Sequence, residues 1–263
     1  MDTVAHDGRT TAFRRTSGAG ESAGDASILY VHGSGATHRA WAHQYGPGGP
    51  RHPAVAVDLS GHGASVDVDT DPGKETLTAY VADVTAVARE TDADVLVGNS
   101  LGGAVVLQAV LDDAISPSAL VLAGTGARLA VHEHLRELLA TDFEGAVDFL
   151  HRDDRLFHDA DAETVERSKA EMRDVGQRIT RRDFLTCHAF DVRDRLDEIG
   201  VPALAVCGEY DQLTPPEYHE YLADNVWNGQ FETVPDAAHL AMVEQPETFT
   251  ERVAAFLESE GPL

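Results

Sequence analysis

Val95-Leu96-Val97-Gly98-Asn99-Ser100-Leu101-Gly102-Gly103 is the stretch that decides the fold. An apolar run rich in β-branched residues stops at a Gly-x-Ser-x-Gly pattern, and a small-residue helical segment, Ala104 to Leu111, follows at once. The order is strand, sharp turn, helix. A serine at such a turn takes a strained backbone conformation, and glycines two before and two after it let strand and helix approach closely. Its hydroxyl then projects from the sheet edge, while the amides that follow sit at a helix N-terminus, where unpaired N–H groups favour negative charge. The plainer reading is a glycine-rich turn with an incidental serine, so the remaining chain has to supply partners.

Those partners are sought along an alternating pattern. Asp7-Gly8 is suited to a tight turn between Val4–His6 and Arg9–Arg14, so the chain opens with a two-stranded hairpin. Ser17 to Ala26 reads as a flexible loop. Apolar strands are expected at Ile28–Val31, Ala54–Val57, Val95–Val97, Ala119–Ala123, Ala203–Cys207 and Phe231–Val234. Between them, Leu77, Tyr80, Val81, Val84, Val87 and Ala88 recur at helical spacing, a proline-started helix begins at Pro215-Pro216, and an amphipathic helix runs from Pro246 to Leu257. Nearly continuous apolar strands alternating with helices imply an α/β fold, a doubly wound and mainly parallel sheet covered on both faces. In such sheets functional groups gather at the carboxyl ends of the strands.

The rhythm breaks between residues 130 and 197, where only helical patterns occur, with breaks expected near Gly145, Asp153-Asp154 and Gly176. This segment is expected to be a helical cap inserted into a core made of residues 1–129 and 198–263. Five of the nine phenylalanines, Phe143, Phe149, Phe157, Phe184 and Phe190, fall in it. Packing between cap and core is the default role for each.

Three side chains fall at the ends of separate strands: Ser100, Asp211 and His239. The order serine, acid, histidine is the one that accompanies a serine on a strand-to-helix turn. The sequence resembles the α/β-hydrolase family over nearly its whole length, through His32-Gly33-Ser34-Gly35, Asp58-x-x-Gly61-His62-Gly63-x-Ser65, Gly98 to Gly103, Gly208-x-x-Asp211 and Ala238-His239. The resemblance implies Ser100 as nucleophile, His239 as its base and Asp211 as the group that orients the imidazole. It also implies an oxyanion hole formed by the backbone amides of Ser34 and Leu101. The activity implied is that of a serine carboxylesterase-like enzyme, cleaving a small or medium ester, lactone or thioester through an acyl-enzyme, with no metal or organic cofactor.

Competing assignments are weaker. Glu209 lies near Asp211, but Asp211 occupies the motif position. Among thirteen histidines, only His239 follows the last strand; His32 and His62 are read as loop-stabilising. His132-x-His134 lacks a cluster to complete a metal site and reads as a solvent-facing helix. Cys207 lies inside an apolar strand and reads as core packing. Gly33 and Gly35 lack the lysine of a phosphate cradle. An aspartate nucleophile, as in dehalogenase and epoxide-hydrolase relatives, is excluded by Ser100. A carbon–carbon hydrolase of ring-cleavage products is the alternative enzyme, although Leu240 stands where those relatives usually carry tryptophan. A low-turnover ligand-binding protein on the same fold is the alternative from another class.

Composition sets the surroundings. The 263 residues suffice for one large domain with an insertion. Against 45 Asp and Glu stand 20 Lys and Arg, a formal net charge of -25, and Lys74 and Lys169 are the only lysines. That charge argues against nucleic-acid and anionic-membrane partners; the partner implied by the family resemblance is a small-molecule, ester-like substrate. Two cysteines, Cys187 and Cys207, form no disulfide framework. With no apolar run of membrane-spanning length, a cytoplasmic protein is expected. The acidic, lysine-poor composition further suggests a salt-adapted, halophilic protein, because self-repulsion at this charge is relieved by screening. A thermal melt should therefore show a higher Tm in molar than in low salt; an unchanged Tm would refute salt adaptation.

Overall fold

The computed structural model describes residues 1–15, 27–45 and 52–260, so the loop expected over Ser17 to Ala26 lies outside the described residues. Strands β1 (Asp2–His6) and β2 (Arg9–Arg15) form the antiparallel hairpin, with Asp2 opposite Phe13 and His6 opposite Arg9. Asp7 and Gly8 both take positive φ, 43° and 75°. That pair of dihedrals gives a turn whose twist matches the flanking strands. Next come β3 (Ser27–Val31), a 3-10 turn at His38–Trp41, the short helix α1 (Ala42–Tyr45) and β4 (Ala54–Val57). Then α2 (Lys74–Thr91), β5 (Ala93–Asn99), α3 (Leu101–Leu111) and β6 (Ala119–Ala123) follow.

Four helices intervene before the alternation resumes: α4 (Glu133–Thr141), α5 (Phe143–Leu150), α6 (Ala162–Val175) and α7 (Gln177–Ala189). The chain then runs through β7 (Ala203–Gly208), α8 (Pro216–Asn225), β8 (Gly229–Val234), α9 (Ala241–Glu244) and α10 (Pro246–Glu260). The eight described strands make one sheet in the order β1-β2-β4-β3-β5-β6-β7-β8. Only the pairs β1 with β2 and β2 with β4 are antiparallel. Every later pair is parallel.

The period of two along each strand sorts the core into two layers. Leu29, Val31, Leu96, Leu120 and Leu122 face α2 and α3, meeting Tyr80, Val84, Val105 and Leu107. Their neighbours Ile28, Tyr30, Val95, Val97 and Val121 face the other way, onto Trp41, Phe249, Val253 and Phe256. Because both faces are covered, the strands read as unbroken apolar runs. A third cluster belongs to the intervening helices, with Leu135, Leu139, Val147, Leu150 and Phe157 at its centre.

The break expected near Gly145 is present, three residues earlier. The break falls at Asp142, between α4 and α5, and Gly145 lies inside the first turn of α5. Asp142 Oδ1 accepts the Gly145 N–H at 3.0 Å, a helix N-cap that a Cβ at position 145 would obstruct by striking the Asp142 carboxylate. Here the glycine makes room for the cap.

The tightest packing lies at the end of β5. A Cβ on Gly98 would collide with the Gly102 carbonyl, and one on Gly102 with the Val31 carbonyl. The start of α3 therefore rests directly on the backbone of β3. Gly102→Ala should destabilise the protein by about 2 kcal/mol or more through overpacking. The corresponding fall in Tm is about 4–8 °C for a chain of this size, readable by calorimetry; an unchanged Tm would refute the close approach.

Candidate active site

Ser100 sits between β5 and α3 with φ 54° and ψ -115°. A non-glycine residue in this region carries strain of about 1–3 kcal/mol, so the position must be held by its surroundings. The Ser100 N–H donates to Ala123 O at 3.0 Å. The Ser100 carbonyl accepts from Thr125 Oγ1 at 2.8 Å and from the Ala104 N–H at 3.2 Å. Thr125 is fixed in turn, because its N–H donates to Nε2 of the buried His219 at 2.9 Å. Burial holds the His219 pKa down at about 4, which keeps that nitrogen free to accept.

Asp211 follows β7 and is buried, whereas Glu209 is exposed. Its Oδ1 accepts the N–H groups of Leu213 and Thr214 at 2.8 and 2.9 Å. Its Oδ2 accepts Thr214 Oγ1 at 2.8 Å and His239 Nδ1 at 2.9 Å. Burial alone would push this carboxyl up, but the imidazole and the Thr214 donors outweigh it and leave the pKa below the ordinary value. An ionised, acceptor-only carboxylate fixes the proton of His239 on Nδ1 and leaves Nε2 free. Asn99 joins the two loops, its amide donating to Ala123 O at 3.2 Å and to His239 O at 3.4 Å.

Ser100 and His239 line one cavity of about 800 Å³, together with Gly33, Ser34, Phe149 and Phe184. Gly33 lies against the elbow, since a Cβ there would stand 3.1 Å from Ser100 Cβ. Among the described residues, no acceptor is paired with the backbone N–H of Ser34 or of Leu101. An imidazole oriented by a buried carboxylate can take a proton from a hydroxyl sharing its cavity, and unspent amides beside that hydroxyl can receive developing negative charge.

A sequence model of the Alpha/beta hydrolase family matches residues 28–252. The chain belongs to that family. The pimeloyl-[acyl-carrier protein] methyl ester esterase of Neisseria meningitidis serogroup C / serotype 2a is 30% identical over 248 residues, covering 88% of this chain and 93% of the relative. The 3-oxoadipate enol-lactonase 1 of Acinetobacter baylyi is 25% identical over 239 residues, 89% of each chain. A solved structure described as a thermophilic esterase superposes with a TM-score of 0.86 at 29% identity, over 99% of this chain and 98% of the other. This α/β hydrolase is thus an esterase-like enzyme in fold and kinship.

The other residues singled out from sequence take structural places. His32 Nε2 accepts the Leu59 N–H at 3.1 Å while Nδ1 donates to Gly33 O at 2.9 Å. Burial lowers its pKa to about 4, in keeping with a neutral ring. The loop from Asp58 to Ser65 wraps the buried Asp58 carboxylate, which accepts from His38 N and Nδ1, both at 2.8 Å, and from Ala64 N at 3.1 Å. His132 caps α4, accepting the His134 N–H at 3.2 Å. Among the described residues no group of three or more His, Cys, Asp or Glu gathers to hold a metal ion. Cys207 is buried in β7, and Cys187 is buried beside Ser34 Oγ at 3.7 Å.

Sequence reasoning missed Asp183, a fully buried carboxylate on α7. Its Oδ2 accepts Gly35 N at 3.2 Å and His62 Nε2 at 2.9 Å, and its Oδ1 accepts Tyr80 OH at 2.7 Å. One side chain thereby joins α7 to the Ser34 loop, to the Asp58–Ser65 loop and to α2. No local pattern announces such a role; Thr214, by contrast, could have been found from Asp-x-x-Thr, a side-chain-to-backbone turn signature. A second tie comes from the segment after α5. His239 N donates to Arg155 O and Leu240 N to Leu156 O, each at 3.0 Å.

The His62–Asp183 pair makes stability depend on pH. Burial lowers the His62 pKa, but Asp183 more than offsets this, and the net pKa is above 6.5. Stability from this pair is therefore complete below about pH 6.5 and declines as pH rises through the folded pKa. Asp183→Asn should destabilise the protein at both pH 6 and pH 9, by about 3 kcal/mol at pH 6 and by less at pH 9. Urea unfolding at the two pH values measures this; an equal loss at both would refute the charge coupling.

Proposed function

We propose that this protein is a serine hydrolase that cleaves a small or medium carboxylic ester, lactone or thioester through an acyl-enzyme. The observation that carries the reading is the Asp211–His239 pair, whose imidazole lines the same cavity as Ser100, itself held at positive φ. Ser100 Oγ attacks the substrate carbonyl as His239 Nε2 takes its proton. The oxyanion forms against the amides of Ser34 and Leu101. As the tetrahedral centre collapses, the imidazolium returns the proton to the leaving alcohol, and water repeats the sequence to release the acid. Asp211 stays ionised throughout and stabilises the imidazolium.

In this reading residues 130–197 act as a cap over the strand ends. Leu129, Leu135, Phe149, Phe157 and Phe184 contribute apolar walls to the cavity, suited to the hydrocarbon part of an ester. The ester and lactone substrates named for the two curated relatives fit the same chemistry. Two buried free cysteines accord with a reducing cell interior. Among the described residues no helix is long and apolar enough to cross a membrane.

Ser100→Ala should lower kcat/KM on an activated ester by at least about a thousandfold. Asp211→Asn, which leaves the imidazole in the wrong tautomer, should lower kcat by about 10⁴. A fluorophosphonate probe should add to Ser100 in the wild type and to neither variant at a comparable rate, read by intact-protein mass. Full activity in Ser100→Ala would refute the reading.

A further inference from the structure

Of the two amides assigned to the oxyanion, that of Ser34 is held from both sides. On one side, the Gly33 carbonyl accepts from His32 Nδ1 at 2.9 Å. That carbonyl and the Ser34 N–H belong to one planar trans peptide and point in opposite directions, so the bond that fixes the carbonyl also aims the N–H. On the other side, the Gly35 N–H donates to Asp183 Oδ2 at 3.2 Å, which fixes the next peptide plane. Only the two dihedrals of Ser34 lie between these planes.

Asp183 bears on both of them. Besides taking the Gly35 N–H directly, its Oδ2 accepts His62 Nε2 at 2.9 Å. The His62 ring packs on that of His32, with centroids 4.7 Å apart, so the carboxylate braces the ring that holds the Gly33 carbonyl. Burial and the neighbouring His62 both keep His32 neutral, as befits a ring that accepts on Nε2 and donates from Nδ1.

Among the described residues, Asp183 is the only side chain to which a backbone N–H of residues 33–36 donates. It is fully buried and does not line the cavity. Its helix, α7, meets the loop again one turn later, where Cys187 Sγ lies 3.7 Å from Ser34 Oγ. Gly35, at φ 68°, packs closely against the same helices: a Cβ there would stand 3.1 Å from Met172 Cγ on α6 and 3.2 Å from Thr180 Cγ2 on α7. A glycine in that position lets the Ser34–Gly35 peptide turn over once its N–H loses its acceptor.

We propose that Asp183 is a positioning residue for the hydrolysis: from α7 it holds the Ser34 N–H in the direction from which that group stabilises the oxyanion. The inference rests on the serine-hydrolase reading and deepens it, by making a helix of residues 130–197 part of what sets the oxyanion hole. Asp183 touches neither substrate nor reacting atoms; its effect passes through two peptide planes.

The test compares a phenyl ester with the thionoester that carries sulfur in place of the carbonyl oxygen, because sulfur is the weaker acceptor and gains less from an oxyanion donor. In the wild type kcat/KM should favour the oxo ester. Asp183→Leu, which offers Gly35 no acceptor, should lower kcat on the oxo ester by at least about tenfold, part of the roughly 10²–10³ that one oxyanion donor carries, with KM within about threefold. The oxo-to-thiono ratio should fall by at least about fivefold. Asp183→Asn, whose amide oxygen can still accept the Gly35 N–H, should keep most of the ratio. Tyr80→Phe removes another partner of Asp183 and should lower Tm without moving the ratio. Calorimetry on each variant establishes that it is folded. Should Asp183→Leu not fold, Asp183→Ser, too short to reach Gly35 yet open to water, is read in its place. Amide hydrogen exchange on the wild type is independent of any variant: the Gly35 N–H should be protected, and an unprotected one would overturn the anchor. A ratio unmoved in the folded variant, or moved as far by Tyr80→Phe, would overturn the inference while leaving ester hydrolysis intact. Failure of the hydrolase reading would instead show as no Ser100-dependent turnover of the oxo ester.

Discussion

The contact on which the site depends is between backbones, where α3 begins against β3. With glycine at 98 and 102, the chain turns from strand to helix without a side chain in between, and Ser100 is pressed into a left-handed conformation at the apex. Several hydrogen bonds converge on that fixed point. The carbonyl of Ser100 is gripped by Thr125, Thr125 is gripped by a neutral His219, and Asn99 ties the elbow to the His239 loop. The strain is tolerated because several independent hydrogen bonds over-determine the geometry. The outcome is an apex residue whose direction is set by four segments of the chain.

A second constraint is electrostatic. Asp58, Asp183 and Asp211 are all buried, in a protein already carrying a large excess of negative charge. Each is satisfied by donors, some local and some distant in the chain: His38 and Ala64 for Asp58, Gly35, His62 and Tyr80 for Asp183, Thr214 and His239 for Asp211. A buried carboxylate left without donors would be costly, so each specifies which loops come together. Two of the three stand beside the cavity wall, and they make its loops a single hydrogen-bonded unit.

The sheet and the positions of Ser100, Asp211 and His239 were legible because local rules govern them: periodicity along strands, glycine at a close approach, chain order of the three residues. The hairpin at Asp7-Gly8 was legible for the same reason. Asp183, Arg155 and Asn99 were not, since their partners lie far off in sequence and nothing near them in the chain marks the pairing. Gly145 shows the limit from the other side. A glycine is ambiguous between ending a helix and admitting its cap, and only the position of the Asp142 carboxylate resolves it.

The pair of backbone hydrogen bonds from His239 and Leu240 to Arg155 and Leu156 has a mechanical consequence. The segment that walls the cavity and the loop that holds the imidazole are joined like two rungs of a ladder. Any outward swing of residues 155–156 breaks both rungs or drags the His239 backbone with it. Movement of that wall and placement of His239 are therefore linked coordinates, and a variant that loosened the wall would shift the loop that carries the imidazole.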